Sequence, residues 1–296
     1  MQITNKLNLP QSLVNAVTTE RHNKEDSVSA TTLLQGVKQI ILTARHWDEI
    51  EDDVSDRVWA VFGTAVHKLL EEKNPNAFTE ERFECKLGSK TVTGQVDLYD
   101  MEEKTITDYK TASVWKVKFK SFDDWKKQGL IYAWLLKKEG LEVKRCRFIA
   151  MLRDWTKGEA QRNMDYPQAQ IYEYVFDVTE KDLREIEIFI NDKVLQIIDD
   201  ENKSDDEIAP CTGEERWETE TKWKVKKDGR KTAVKVCSTE AEALNYISDN
   251  FNNDKSYYVE EVAGQSKRCT DYCLCNKFCN FYKKLREVQC TQSEQG

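Results

Sequence analysis

Residues 90–110 read KTVTGQVDLYDMEEKTITDYK. Two runs in it, 90–99 and 104–110, carry the alternation of a β-strand, and the polar segment from Asp100 to Glu103 joins them. A hairpin centred between Glu102 and Glu103 sets Asp97 opposite Asp108 and Gln95 opposite Lys110. Side chains repeat every second residue along a strand, so Asp108 and Lys110 share the face of Asp97 while Tyr109 points away. Two carboxylates placed opposite each other repel, and a protein tolerates this when a cation sits between them. Hard oxygen ligands converging on a point suit Mg²⁺ or Mn²⁺. A lysine two residues beyond the second acid can orient a water or stabilise charge on a phosphate. The competing reading is plain: an aspartate at a strand end before a polar turn is common, and Asp-x-Lys alone specifies nothing.

Working upstream, residues 80–87 (EERFECKL) form a third strand-like run joined to the hairpin by Gly88-Ser89. Before it, Asp53-Val54-Ser55-Asp56 opens a helix over 58–72 in which Val58, Phe62, Ala65, Val66 and Leu69 make one apolar stripe, with Asn74-Pro75-Asn76 as its stop. Residues 31–45 are helix-spaced as well, and 1–30 are polar and weakly patterned. Downstream, a helix is predicted over 121–138, started by Ser121 and closed by Gly140. Strands follow over 145–153 and 171–178, and Thr179 caps an acidic amphipathic helix reaching about residue 198. A polar connector, 199–216, contains Pro210-Cys211. Then come a strand (221–227), an Asp228-Gly229 turn, a strand (231–237), a helix (239–250) opened by a Thr239/Glu242 capping box, and a strand (256–262).

The chain has 296 residues, with 39% hydrophobic and 33% charged side chains. Eleven Phe, eleven Tyr and eight Trp supply a core, which excludes wholesale disorder. No run approaches the length of a membrane span, and the N-terminus lacks a secretory pattern, so the expectation is a cytoplasmic protein whose nine cysteines are reduced. The formal charge of −8 is segregated. From Lys110 to Arg147 eleven bases face four acids, and from Asp177 to Glu207 twelve acids face four bases. Each run alone reads as a solvated helix face.

Other residues raise the prospect of a metal site at the hairpin. His67 lies off the apolar stripe of its helix, with Gly63 and Glu71 one turn away, and imidazole suits a transition ion. Gln128 and Tyr132 share a helix face. Gly94 marks close approach by another backbone or a ligand.

In order, His67, Gly94-Gln95-Val96-Asp97, Asp108-Tyr109-Lys110 and Gln128-Gly129-Leu130-Ile131-Tyr132 resemble the PD-(D/E)XK nuclease superfamily, in its RecB/Cas4-like branch. The wider wording is similar to phage-encoded exonucleases. The resemblance implies that His67, Asp97, Asp108 and the carbonyl of Tyr109 hold a divalent ion, Mg²⁺ or Mn²⁺. It also implies that Lys110 positions the attacking water, and that Gln128 and Tyr132 shape the site and contact DNA. Asp97, Asp108, Lys110, Gln128 and Tyr132 would form the catalytic set. The basic stretch after Lys110 would track phosphates. Trp115, Trp125 and Trp134 are candidates for base stacking, against the ordinary alternative of core packing.

Four cysteines, Cys269, Cys273, Cys275 and Cys279, crowd into eleven residues. Three thiolates from a short segment and one from afar commonly close a metal site. Cys211 is the distant candidate and Cys275 its competitor. The resemblance implies a [4Fe-4S] cluster, and Cys211, Cys269, Cys273 and Cys279 are the residues here that would hold it. The family's cysteine before the core has no counterpart here, and structural Zn²⁺ fits the same residues. Cys85, Cys146, Cys237 and Cys290 read as ordinary thiols.

The expected fold is therefore α/β: a restriction-endonuclease-like mixed central sheet flanked by helices, with a cysteine–metal-stapled C-terminal region. The expected division is a lead-in at 1–30, a nuclease core at 31–200, and a Cys-rich region at 201–296 with a β-β-α-β insert at about 217–264. The expected function is a metal-dependent DNA exonuclease acting on ends or single strands, with phage recombination or replication proteins as partners. Alternatives are a nuclease-fold protein that binds DNA or a partner without catalysis, and a structure-specific endonuclease.

Overall fold

The computed structural model describes residues 1–18, 26–70 and 76–293, the last six by backbone alone. The stop at Asn74-Pro75-Asn76 and Glu71 fall wholly or partly outside the described residues, as does the Cys290 side chain. The chain divides into two compact units, Met1–Ile208 and Ala209–Gly296.

The first unit opens with β1 (Gln2–Thr4), α1 (Gln11–Val17), β2 (Ser27–Ser29), α2 (Ala30–Leu33) and α3 (Val37–Arg45). The single helix expected over 31–45 is thus two, separated around Gly36, whose extended backbone (φ −68°, ψ 144°) begins α3. Then follow β3 (Glu51–Asp53), α4 (Val58–Leu70), β4 (Ala77–Leu87), β5 (Lys90–Asp100) and β6 (Thr105–Ala112). The unit is completed by α5 (Val114–Lys118), α6 (Asp123–Lys138), β7 (Arg145–Leu152), α7 (Lys157–Arg162), β8 (Ile171–Asp177) and α8 (Glu180–Asp200).

The sheet is mixed, in the order β2-β5-β6-β7-β8, with β4 along the other edge of β5. The expected mixed central sheet flanked by helices is observed. The β5–β6 register also agrees with the sequence, since Leu98 pairs Thr107, Tyr99 pairs Ile106 and Asp100 pairs Thr105. The pairing ends there. Asp97 and Asp108 are not ladder partners, because beyond Thr107 β6 leaves β5 while continuing in parallel along β7 through Ala112. Further back, β5 pairs with β2 at Thr91, Val92 and Thr93. Strand β5 therefore forks, with residues 94–97 between its two neighbours.

α6 is buried almost all round, at Trp125 and from Gln128 through Leu136. Its contact with the sheet demands small residues. A Cβ on Gly94 would lie 2.7 Å from Leu135 Cδ1 and 2.8 Å from Tyr132 Cδ1, so glycine is what lets helix and strand meet. Trp125 stacks on Phe148 at 5.6 Å between centroids, and Phe122 stacks on Tyr174 at 4.5 Å. Burying each such large apolar side chain contributes about 1.5–3 kcal/mol. Gly140, at φ +78°, follows the end of α6 as expected. Its start differs: the N-cap is Phe122, with no side-chain bond, and not Ser121. Thr179 does cap α8, in a reciprocal capping box with Asp182.

The stripe expected on the helix at 58–72 is not a core face. No residue of α4 is buried, and Phe62 and Leu69 are 54% and 83% exposed. The charge segregation also has a structural use. Lys126, Lys137 and Lys138 of α6 pair with Asp182, Glu180 and Glu187 of α8 at 3.4, 2.9 and 2.6 Å. Three of the eleven bases in the run expected to track phosphates thus face its acidic counterpart within the fold.

The second unit holds β9 (Lys222–Lys227), β10 (Lys235–Cys237), α9 (Glu240–Phe251), β11 (Tyr257–Val262), α10 (Lys267–Asp271) and α11 (Asn280–Ser293). The β-β-α-β order is as read, with β9 central between β10 and β11. The Asp228-Gly229 turn does not close a two-residue hairpin: Lys235 pairs Val225, so β10 is short and a long loop precedes it. At α9 the Thr239 side chain accepts from the Glu242 N–H, but Glu242 accepts from Ser238 N–H, so the predicted box is half formed. The buried core here is small: Val225, Cys237, Ala243 and Ile247.

Candidate active site

The fork in β5 creates the site. Where β6 leaves, the Asp97 carboxylate takes over a ladder role, its Oδ2 accepting the Tyr109 N–H at 2.7 Å. This fixes Asp97, 7% exposed, against β6. Its Oδ1 faces His67 Nδ1 of α4 at 3.2 Å. That imidazole's pKa is raised, by its hydrogen bond to Asp97 first, against its burial, and then by the charges of Asp97, Glu80 and Asp108.

Asp108 lies one step further in and is 2% exposed. Its Oδ1 is 2.7 Å from Lys110 Nζ on the same face of β6. Lys110 also donates to Gln128 Oε1 at 3.0 Å. Gln128 Nε2 donates to Tyr132 Oη at 2.7 Å, and lies 3.4 Å from Asp108 Oδ2. Helical spacing on α6 therefore delivers Gln128 and Tyr132 together, as the i, i+4 relation predicts. Burial drives the Asp108 carboxyl up to about 6, against the pull of Lys110 and with the push of Asp97. Such an acid gains most from a cation brought beside it.

The sequence-derived residues are thus gathered in two linked groups. His67 and Asp97 form the outer one. Asp108, Lys110, Gln128 and Tyr132 form the inner one. Glu80 of β4 was not foreseen. Its Oε1 lies 3.4 Å from His67 Nδ1, and one ligand atom from each of His67, Glu80 and Asp97 falls within 4.8 Å of the other two. The available signal was the Gly88-Ser89 turn: a hairpin centred there sets residue 80 opposite residue 97. The donors fit a divalent cation of the Mg²⁺/Mn²⁺ kind, being carboxylate oxygens with one imidazole, converging around a buried acid.

Of the tryptophans, Trp125 and Trp134 are core residues, 5% and 1% exposed, which removes them as stacking platforms. Trp115 is 52% exposed and stacks on Phe119 at 5.7 Å.

In the second unit the described cysteines form no disulfides. Burial first, then the neighbouring Cys273, Cys211 and Cys279 thiols, push the Cys269 thiol up to about 12. Cys275, 1% exposed, lies 3.6 Å from Cys273 sulfur to sulfur, and that contact draws the Cys273 thiol down to about 7.

No family model matches the chain, and no curated protein matches it. Solved structures similar to it include that of SSO0001, with a TM-score of 0.43 and 18% identity over 62% of this chain and 82% of that one. A phage-related exonuclease from Haemophilus somnus 129PT gives a TM-score of 0.36 and 14% identity, covering 60% of this chain and 96% of that one. An alkaline exonuclease from Laribacter hongkongensis gives 0.38 and 9%, covering 64% and 93%. What this chain can do follows from the geometry of its own site.

Proposed function

We propose that the chain is a divalent-metal-dependent DNA nuclease, an exonuclease of the RecB/Cas4-like kind that works at DNA ends or on single strands. The observation that carries this is the convergence of His67, Asp97, Asp108 and Lys110, with Lys110 held between Asp108 Oδ1 and Gln128 Oε1 at 2.7 and 3.0 Å. His67, Asp97, Asp108 and the Tyr109 carbonyl would hold Mg²⁺ or Mn²⁺. When bound, the ion supplies Lewis-acid activation of the phosphodiester and of water.

The protein's own groups do the rest. Asp97 is pinned by the Tyr109 N–H, so its other oxygen, the one facing His67, is presented without a search through rotamers. Lys110, aimed by two acceptors, holds a water in line or neutralises charge growing on the phosphate. Gln128 and Tyr132 form the wall behind it and fix the lysine's direction. The setting implied by the resemblance is phage recombination, replication or DNA processing. Among the described residues no helix is long and apolar enough to cross a membrane.

We assign the thiols of Cys211, Cys269, Cys273 and Cys279 to a structural [4Fe-4S] cluster, with Zn²⁺ as the alternative. The Cys273, Cys211 and Cys279 thiols all lie near enough to influence Cys269, and Cys275, 3.6 Å from Cys273, is the competitor for the fourth place. Brown colour with bound iron and sulfide in protein purified without oxygen supports the cluster, and colourless protein with bound zinc rejects it.

The test of function is an assay on end-labelled linear and closed circular DNA, with and without Mn²⁺. Loss of label from linear DNA only with the ion, with circles intact, is the expected result. Cutting of circles moves the assignment to an endonuclease. Full activity of a clean Asp108→Ala preparation refutes the site.

A further inference from the structure

Glu80 occupies an unusual place. Along the β4–β5 ladder, Thr79 pairs Leu98 and Glu81 pairs Val96, so Glu80 stands opposite Asp97 and drops out of the pairing. Its backbone sits at φ +51°, in the left-handed region that a residue with a side chain enters at a cost. Nothing about strand geometry requires this, because the register is the same on both sides of it. The departure turns the Glu80 side chain toward His67 and Asp97. Gln95, the member of the Gly94-Gln95-Val96-Asp97 run with no role so far, latches it there, its Nε2 donating to Glu80 Oε2 at 2.7 Å.

The direction of approach matters. A carboxylate that only orients a metal-binding histidine grips the ring nitrogen facing away from the ion. Here Glu80 Oε1 and Asp97 Oδ1 both address Nδ1, at 3.4 and 3.2 Å, so Glu80 stands on the same side of the ring as Asp97.

We propose that Glu80 is a direct ligand of the divalent ion, and that Gln95 is its positioning residue. This rests on the metal-site reading above and adds a third carboxylate to the ligand set. A site with one imidazole and three carboxylates takes Mn²⁺ readily, and its extra negative charge raises affinity for any hard divalent ion.

The test is Mn²⁺ binding to the full chain without DNA, followed by electron paramagnetic resonance and by water proton relaxation. Glu80→Gln keeps the side-chain volume and removes the charge. It should weaken Mn²⁺ binding about tenfold or more, within the range seen for groups that hold metal ligands. At saturating protein it should also raise the number of exchangeable waters on the ion, because water replaces a lost ligand and not a lost orienting group. Gln95→Met should give a smaller loss of affinity in the same direction. Unchanged melting of both variants without metal shows that the fold is intact. If Asp97→Asn weakens binding while Glu80→Gln leaves affinity and water number unchanged, Glu80 is not a ligand and the rest of the site stands. If the unaltered protein binds no Mn²⁺, or Asp97→Asn binds it equally well, the metal-site reading fails and this inference with it.

Discussion

The two units hold their reactive groups by opposite means. In Met1–Ile208 a large apolar core and a six-stranded sheet place acids, an amine and an imidazole drawn from β4, β5, β6, α4 and α6. Hydrogen bonds such as Tyr109 N–H to Asp97 set their positions. Among the described residues of Ala209–Gly296 the buried apolar cluster is Val225, Cys237, Ala243 and Ile247, and three of the four assigned thiols come from one short segment. With so small a buried cluster, this unit is where a bound metal would add most to folding. In one unit the fold makes the site; in the other the site is expected to make the fold.

The sharpest way to break that contrast is to remove the metal proposed for the cysteines. Cys269→Ser, or stripping the metal with a chelator, should unfold the second unit, since metal binding to such sites contributes on the order of 10 kcal/mol. The circular dichroism of its helices should fall while the first unit's melting transition survives. Identical melting of both units would show that the cysteines are idle.

The reverse manipulation in the first unit should cost function and spare the fold. Asp108→Asn should lower nuclease activity by about 10²–10³-fold or more, as loss of one preorganised charge-stabilising group does. Without metal it should not destabilise the protein at neutral pH. Asp108 has a raised pKa in the folded state, about 6, against about 3.9 unfolded. Its contribution is therefore fully present below about 4 and is lost as pH rises through about 6. Urea midpoints of Asp108→Asn should rise relative to the unaltered protein between pH 4.5 and 7.5. A falling difference would contradict the assigned burial.

Gly94→Ala tests whether site and core are separable. The new methyl would meet Leu135 Cδ1 and Tyr132 Cδ1 at 2.7 and 2.8 Å, and overpacking of this kind costs about 1–3 kcal/mol. Because Tyr132 must move, activity should fall together with the melting temperature. The smallest effect concerns Asp53. The Lys6 N–H first, then Thr4 and Ser55, hold its carboxyl below the usual range. That stabilisation is present above the unfolded pKa and is lost as pH falls through the lower folded value. Asp53→Asn should lower the melting point slightly at pH 7, and the gap should close in acid.

Much of the first unit is legible in its sequence because its signals are local. Gly88-Ser89 and the polar run after Asp100 fix the two turns, and the β5–β6 register follows. Helical spacing joins Gln128 to Tyr132. The fork in β5 is not local: it arises because β2 and β6 compete for one strand edge, which no single stretch records. The place of Glu80 opposite Asp97 is readable from the Gly88-Ser89 turn, but its departure from the ladder is not, since its own sequence suits the strand. The exposed stripe on α4 shows the limit of periodicity, which reports that a helix has an apolar face and not what covers it.

The pairing of α6 lysines with α8 carboxylates has a kinetic consequence. With three of its lysines engaged in this way and an overall charge of −8, the basic run has less to offer a polyanion at a distance, so encounter gains less from long-range steering. Arrival would instead be decided at contact, where a divalent ion among the acids of β4, β5 and β6 turns a repulsive cleft into a bridge. Loading with the ion would then govern docking as well as chemistry, and a strand would be held only where the reagent for cutting it already waits.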